Sequence, residues 1–199
     1  MGKGELTRQA ILEHAVGLAS QVGLDGLTIG RLADDLELSK SGLFAHFRSK
    51  EALQVQALTL AAERFTDIAI RPALAAPRGE PRVRALFNRW LEWPKLFPQP
   101  GGCIFVAASA ELDDKPGPAR DLLVRLQKDW LDVIAGAVRI AVSEGHFKKS
   151  VDPEQFAFDL YGIMLIGHLA TRLLRDPKAW DRARKAFGNL LAAARALPS

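Results

Sequence analysis

The chain has 199 residues, of which 48% are hydrophobic and 25% charged, with a formal net charge of +4 and one cysteine. That length supports one large or two small cores, and the single cysteine excludes an intramolecular disulfide framework. No charged start followed by an apolar run marks a secretory signal, and the most apolar stretch, residues 160–170, is too short to span a bilayer and is interrupted by His168. These features predict a soluble, cytoplasmic protein with no membrane association. The positive charge does not sit at the N-terminus: residues 1–60 hold six Lys and Arg against seven Asp and Glu, a net of −1. Any contact with nucleic acid must therefore rest on where individual cations lie.

In chain order, the first helix is expected from about Thr7 to Val22, with Ile11, Ala15, Leu18 and Val22 on one stripe and a break at Gly23 and Asp25-Gly26. Lys3 and Arg8 open this segment, either as a solvated terminus or as an arm toward DNA. Ile29, Leu32, Ala33 and Leu36 recur at helical spacing behind Thr28, a suitable N-cap. After Leu36-Glu37-Leu38, Ser39 caps a second short helix that runs through Phe47. With Leu43 and Phe47 turned inward, Ser41, Gly42 and Ala45 form a small, uncharged outer face flanked by Phe44 and His46. Such a face can enter a major groove, offering a hydroxyl to a base edge and a methyl to thymine. Lys40, Arg48 and Lys50 border it and suit phosphates. Two short helices joined by a tight turn, with this outer face, constitute a helix-turn-helix.

Ser49 caps a fourth helix, which is expected to run to about Arg71 before Pro72 and Pro77 stop it. The pattern restarts with Val83, Leu86, Phe87, Trp90 and Leu91, ending at Trp93-Pro94 and the cluster from Pro98 to Gly102. The run CIFVAASAEL at 103–112 fits a helix or a strand by periodicity, and a helix is favoured because nothing strand-like is available to pair with it. A long helix follows from about Ala119 to Glu144, ended by Gly145. Asp152-Pro153 opens the eighth helix, apolar on two sides: Phe156, Leu160, Ile163, Gly167 and Ala170 on one, Ala157, Tyr161, Met164 and His168 on the other. A last helix spans about Pro177 to Ala196. A helix apolar on both sides needs cover on both. These last two helices are therefore assigned to a homodimer interface, with Gly162, Gly167 and Ala170 allowing close approach; completion of a monomer core is the alternative.

The run from Leu38 to Leu53, LSKSGLFAHFRSKEAL, resembles the signature of the TetR (tetracycline-repressor-like) family of bacterial transcription regulators, and the match reaches back through Thr28-Ile29 to Ile11. The family usually carries Gly-Thr where this chain has Ser41-Gly42, and a tyrosine at the position of Phe44, which has no hydroxyl for a phosphate. The resemblance implies an all-α fold of about nine helices, with a helix-turn-helix domain at 1–52 and a helical ligand-binding and dimerisation domain at 53–199. It implies Thr28, Lys40, Ser41, Gly42, His46 and Lys50 as DNA contacts, with Phe44 packing on sugar and backbone; Ala45 joins them from its place on the outer face. Gly42 also lowers helix propensity by up to about 1 kcal/mol relative to alanine. Together with the bulky residues of the middle of the chain, the resemblance suggests a mainly apolar effector cavity lined by Trp90, Trp93, Phe97, Cys103, Phe105, Trp130 and Met164, with Ser109, Tyr161 and His168 as orienting polar groups. Each of these also fits a plain core position.

No cofactor or metal is expected. The four histidines are scattered, no second cysteine exists, and phosphate-binding loops and nucleophile elbows are absent. The function expected is a dimeric repressor that grips operator DNA and is released by a small, mainly apolar inducer. Two rivals belong to other classes: an interaction module whose helix-turn-helix has lost DNA binding, and an enzyme using Cys103, at a probable helix start, as nucleophile.

Overall fold

The computed structural model describes residues 3–97 and 100–196. Among them the architecture is all-α: α1 (Lys3–Gly26), α2 (Ile29–Asp35), α3 (Lys40–Phe47), α4 (Lys50–Phe65), a π-helical turn (Thr66–Ile70), α5 (Arg71–Leu74), α6 (Glu80–Leu96), α7 (Ile104–Leu112), α8 (Pro118–Ser143), α9 (Pro153–Arg172) and α10 (Ala179–Ala194). Because α4, the π turn and α5 follow without a gap, they form one rod, and nine helical bodies result. None of these helices is long and apolar enough to cross a membrane.

Two expected stops are overridden. Pro72 does not end the rod, which runs on to Leu74: the proline falls in the first turn of α5, where a missing N–H is tolerated, directly after the wider π turn has shifted the hydrogen-bond ladder. Pro94 likewise lies inside α6, which ends at Leu96. So near the C-terminus the proline interrupts the ladder for less than a turn, and the buried Trp90 and Trp93 hold the helix in place. The break in α1 falls at Gly23 as expected, and its φ of 76° is a conformation that glycine takes without strain.

By compactness the chain forms two units, Met1–Thr66 with Pro94–Gln127, and Asp67–Trp93 with Lys128–Ser199. In the first, α1 packs on α2, α4 and α7 around Leu12, Ala15, Leu32, Leu43, Phe47 and Leu58, all buried. Two of its interior polar groups are satisfied over long distances in sequence. Gln54 donates to the Leu24 carbonyl at 2.6 Å, holding the end of α1 on α4. Ser20 accepts the Gly101 amide at 3.0 Å, and its backbone lies so close to Gly101 that any Cβ there would overlap the Ser20 carbonyl. Partnered buried polar groups of this kind specify one docking of α7's leading loop on α1 rather than a range of them.

In the second unit α9 packs along α10, with Phe156, Leu160, Met164 and Gly167 of α9 and Ala183, Phe187 and Leu191 of α10 buried. Phe87 of α6 packs against Phe187 with the rings tilted by 32° and their centroids 4.2 Å apart. Gly167 departs from its expected role at a dimer interface: a Cβ at this position would press on Trp180 and Ala183 of the same chain, so the glycine admits α10. The start of α6 is tied to the end of α10 by Glu80, whose carboxylate accepts two bonds from Arg195, at 2.8 and 2.6 Å, and one from Arg84 at 2.7 Å. His146 accepts the Glu80 amide at Nδ1, 3.0 Å away, and so satisfies an N–H at the head of α6.

The hydrogen bonds from Arg195, joined by those from Arg84, hold the Glu80 carboxyl below its ordinary range against the opposing effect of burial. A lowered carboxylate pKa contributes stability that is present above the unfolded value, about 4.3, and is lost as pH falls through the folded one. Glu80→Gln is expected to cost about 1 kcal/mol at pH 7, a value kept small because Arg195 stays half open to solvent. Urea unfolding should show the gap between wild type and variant closing as pH drops below about 4.

Candidate functional site

The turn between α2 and α3 is built from local hydrogen bonds. Thr28 Oγ1 accepts the Arg31 amide at 3.1 Å and caps α2; Ser39 Oγ accepts the Gly42 amide at 3.2 Å and caps α3; Ser49 Oγ accepts the Ala52 amide at 3.0 Å and caps α4. Glu37 and Arg48 take positive φ of 54° and 64°, which turn the chain sharply out of α2 and out of α3. The eight residues of α3 are thereby held between two capped neighbours.

Its two anchors, Leu43 and Phe47, are each 1% exposed. Lys40, Ser41, Gly42, Phe44, Ala45 and His46 are all exposed. The small uncharged face expected from the sequence is thus the outward one. Phe44 leaves 57% of its surface open, an unusual position for a phenyl ring on a short helix. Nothing but the Ser39 hydroxyl stands near a Cβ added at Gly42, so the glycine leaves α3 backbone accessible from outside.

Electrostatics around this face are balanced internally. Lys40 Nζ lies 3.7 Å from Asp34, and Lys50 Nζ lies 4.0 Å from Asp25, which is also paired with Lys115. His14 of α1 pairs with Asp35 at the end of α2. Lys40 must give up its acidic neighbour to meet a phosphate, whereas Lys50 shares Asp25 with a closer partner, Lys115. Sequence reading did not find Asp25, Glu111 and Lys115 as a group: Asp25's amide donates to Glu111 Oε2 at 3.0 Å across 86 residues of sequence, a separation no local pattern reports.

The expected effector residues divide between the two units. In the first, Phe97 and Cys103 are buried, Cys103 as the N-cap of α7, while Phe105 and Ser109 are half-buried. Phe105 meets Phe65 edge-on, centroids 6.0 Å apart. Ser109 donates to the Phe105 carbonyl at 2.8 Å and accepts from Gln127 Nε2 at 2.9 Å. Gln127, which the sequence did not single out, is therefore part of the polar arrangement around Ser109. In the second unit Trp90, Trp93, Trp130 and Met164 are buried, and Tyr161 and His168 are half-buried. Trp90 meets Trp180 edge-on at 6.2 Å. Burial, helped by Arg172, pushes the His168 imidazole below its ordinary pKa, so that it is neutral at pH 7 and able both to donate and to accept a hydrogen bond.

A tyrosine hydroxyl in place of the exposed hydrogen of Phe44 adds one donor to the rim of the outward face of α3 and disturbs no packing. Phe44→Tyr is expected to tighten binding to duplex DNA by roughly three- to tenfold, the typical net worth of one hydrogen bond made at an exposed position, with the salt slope unchanged because no cation is added. A mobility-shift titration at two salt concentrations measures both quantities.

Comparison with known proteins adds the following. Residues 79–187 match the family described as tetracyclin repressor-like, C-terminal domain, and residues 11–57 match bacterial regulatory proteins, tetR family. The class C tetracycline repressor protein of Escherichia coli is 41% identical over 49 residues, 25% of this chain and 22% of that protein, so the aligned part spans under a quarter of the relative's length. A TetR-family transcriptional regulator from Cytophaga hutchinsonii superposes with a TM-score of 0.85 at 19% identity, covering 100% of this chain and 99% of the other. AibR, solved in complex with isovaleryl coenzyme A and operator DNA, superposes with a TM-score of 0.74 at 21% identity, covering 94% of this chain and 98% of the other. With a capped helix-turn-helix at the front of the chain and a matching helical domain over more than half its length, the chain belongs to the TetR family of bacterial transcriptional regulators.

Proposed function

We propose that this chain acts as a homodimeric repressor that binds operator DNA through α3 and is released by a small, mainly apolar effector. The observation that carries the reading is the division of α3: Leu43 and Phe47 are sealed into the core while Ser41, Gly42, Ala45 and His46 face outward between Lys40 and Lys50. A small polar face rimmed by cations is what a major groove admits, with base edges met by the hydroxyl, imidazole and methyl groups and phosphates by the lysines. Thr28 keeps its O–H free to donate toward a phosphate because its oxygen serves the cap as acceptor. The head is taken as residues 1–52 and the effector-binding and dimerising part as 53–199.

Dimerisation is supported by an apolar stripe on α9 and its C-cap that the chain leaves uncovered: Phe158 is 70% exposed, Ile166 57%, Leu169 43% and the capping Leu173 73%. Gly162 lies in the same stripe, with no atom within 4 Å of an added Cβ, and offers room for a second helix. This stripe differs from either of the two sides expected from the sequence, because Phe156, Leu160, Met164 and Gly167 are used within the chain. A twofold partner places two α3 helices on one face of a duplex, about 34–36 Å or a multiple of a helical turn apart, and an effector that alters that separation abolishes simultaneous docking. A swing from 1:99 to 99:1 between competent and incompetent states needs a differential affinity of about 5.5 kcal/mol. AibR's bound acyl-coenzyme A and operator support both halves of this reading by analogy. The candidate pocket residues are those named above in each unit, Cys103 among them as an apolar lining group rather than a nucleophile.

The test is a mobility shift on the region upstream of its own gene at stated salt, run beside Phe158→Arg. Wild type is expected to sediment as a dimer and to give a sequence-specific shift. The variant, which places a charge in the stripe, should sediment as a monomer and lose at least tenfold in affinity, since one head alone contributes half the contacts. A folded wild-type dimer with no specific shift on any upstream fragment rejects the proposal.

A further inference from the structure

Asp25 stands between two lysines with different relations to DNA. Its Oδ2 is paired with Lys115, in the turn between α7 and α8, and its Oδ1 lies 4.0 Å from Lys50 Nζ, at the outer limit of an ion pair. The backbone that carries this carboxylate is anchored: the Asp25 amide donates to Glu111 Oε2 at 3.0 Å, and Gly23, two residues earlier, lies against the same Glu111 side chain. Lys115 is the stronger partner of the two: its hydrogen bond is the main cause of the lowered Asp25 pKa, and Lys50 contributes least among the causes. Without Lys115, the carboxylates of Asp25 and Glu111 remain in place, with Lys50 within reach of the first.

We propose that Lys115 is a positioning residue for DNA binding: by occupying Asp25 it leaves Lys50 available to a backbone phosphate. The proposal rests on the reading of Lys50 as a phosphate contact. Lys115 acts through Asp25 and does not itself touch the duplex. Surface pairs are weak, so the effect is modest, but it has a definite signature, because a lysine retained by an internal carboxylate displaces one fewer counterion from DNA.

The test uses the full chain and a mixed-sequence duplex, with affinity measured from low to physiological salt and folding checked by urea unfolding. Lys115→Ala is expected to weaken binding about two- to fivefold at low salt and to make the salt slope shallower by up to about one. Asp25→Asn in the Lys115→Ala background should restore wild-type affinity and slope, since the captor is gone. Lys115→Ala should add nothing to Lys50→Ala. Lys115→Arg, which keeps the pair, should bind as wild type and serves as the second variant should the alanine form unfold. A Lys115→Ala defect that persists unchanged beside Asp25→Asn, or that adds fully to Lys50→Ala, overturns the proposal and makes Lys115 a direct or a purely structural contributor. If Lys50→Ala binds with wild-type affinity and slope while Lys40→Ala is impaired, the assignment of Lys50 to a phosphate is itself overturned, and the role of Lys115 falls with it by that separate route.

Discussion

Two side chains decide what α3 presents. Leu43 and Phe47 lie one turn apart, and once both are buried the helical period dictates that Ser41, Gly42 and Ala45 face away. The remainder of the first unit serves to keep those two anchors seated. Caps at Thr28, Ser39 and Ser49 fix where each of three helices begins, and positive φ at Glu37 and Arg48 sets the angles at which α2 and α3 are left. A helix of eight residues has little stability of its own, so its geometry is borrowed from its neighbours.

Much of this was legible in the sequence because its signals are local. Serine or threonine before an apolar repeat announces a cap, and the spacing of Leu43 and Phe47 announces the buried side. The helices from α6 to α10 were readable in outline for the same reason, including the choice of helix over strand for 104–112. Prolines misled where context compensated: Pro72 sits just past a π turn, and Pro94 sits within the last turn of a helix pinned by tryptophans. A π turn has no composition of its own, and nothing in Thr66–Ile70 announces one.

What stayed hidden is long-range and mostly polar. Gln54 reaching Leu24, Ser20 meeting Gly101, and Asp25 shared between Lys50 and Lys115 are pairings between residues with no periodic relation. The outward side of α9 was misjudged for a related reason. Two apolar sides were visible, but both give residues to the interior of the chain, Gly167 of one by fitting Trp180 and Met164 of the other by burial, a packing that appears only in three dimensions. A third side, with Phe158, Ile166 and Leu173, is the one left facing out.

The pairing of Glu80 with Arg195 spans 115 residues and bears on how the chain is made. A polypeptide leaving the ribosome exposes Glu80 long before Arg195 exists, so the bond closes only when synthesis has nearly reached the last helix. The first unit meets its own most distant segment sooner, since its members end at Gln127. The first unit can therefore be complete while Lys128–Ser199 is still being added, and the apolar faces of α6, whose partners Phe187 and Trp180 arrive last, are the surfaces that need shelter during that interval.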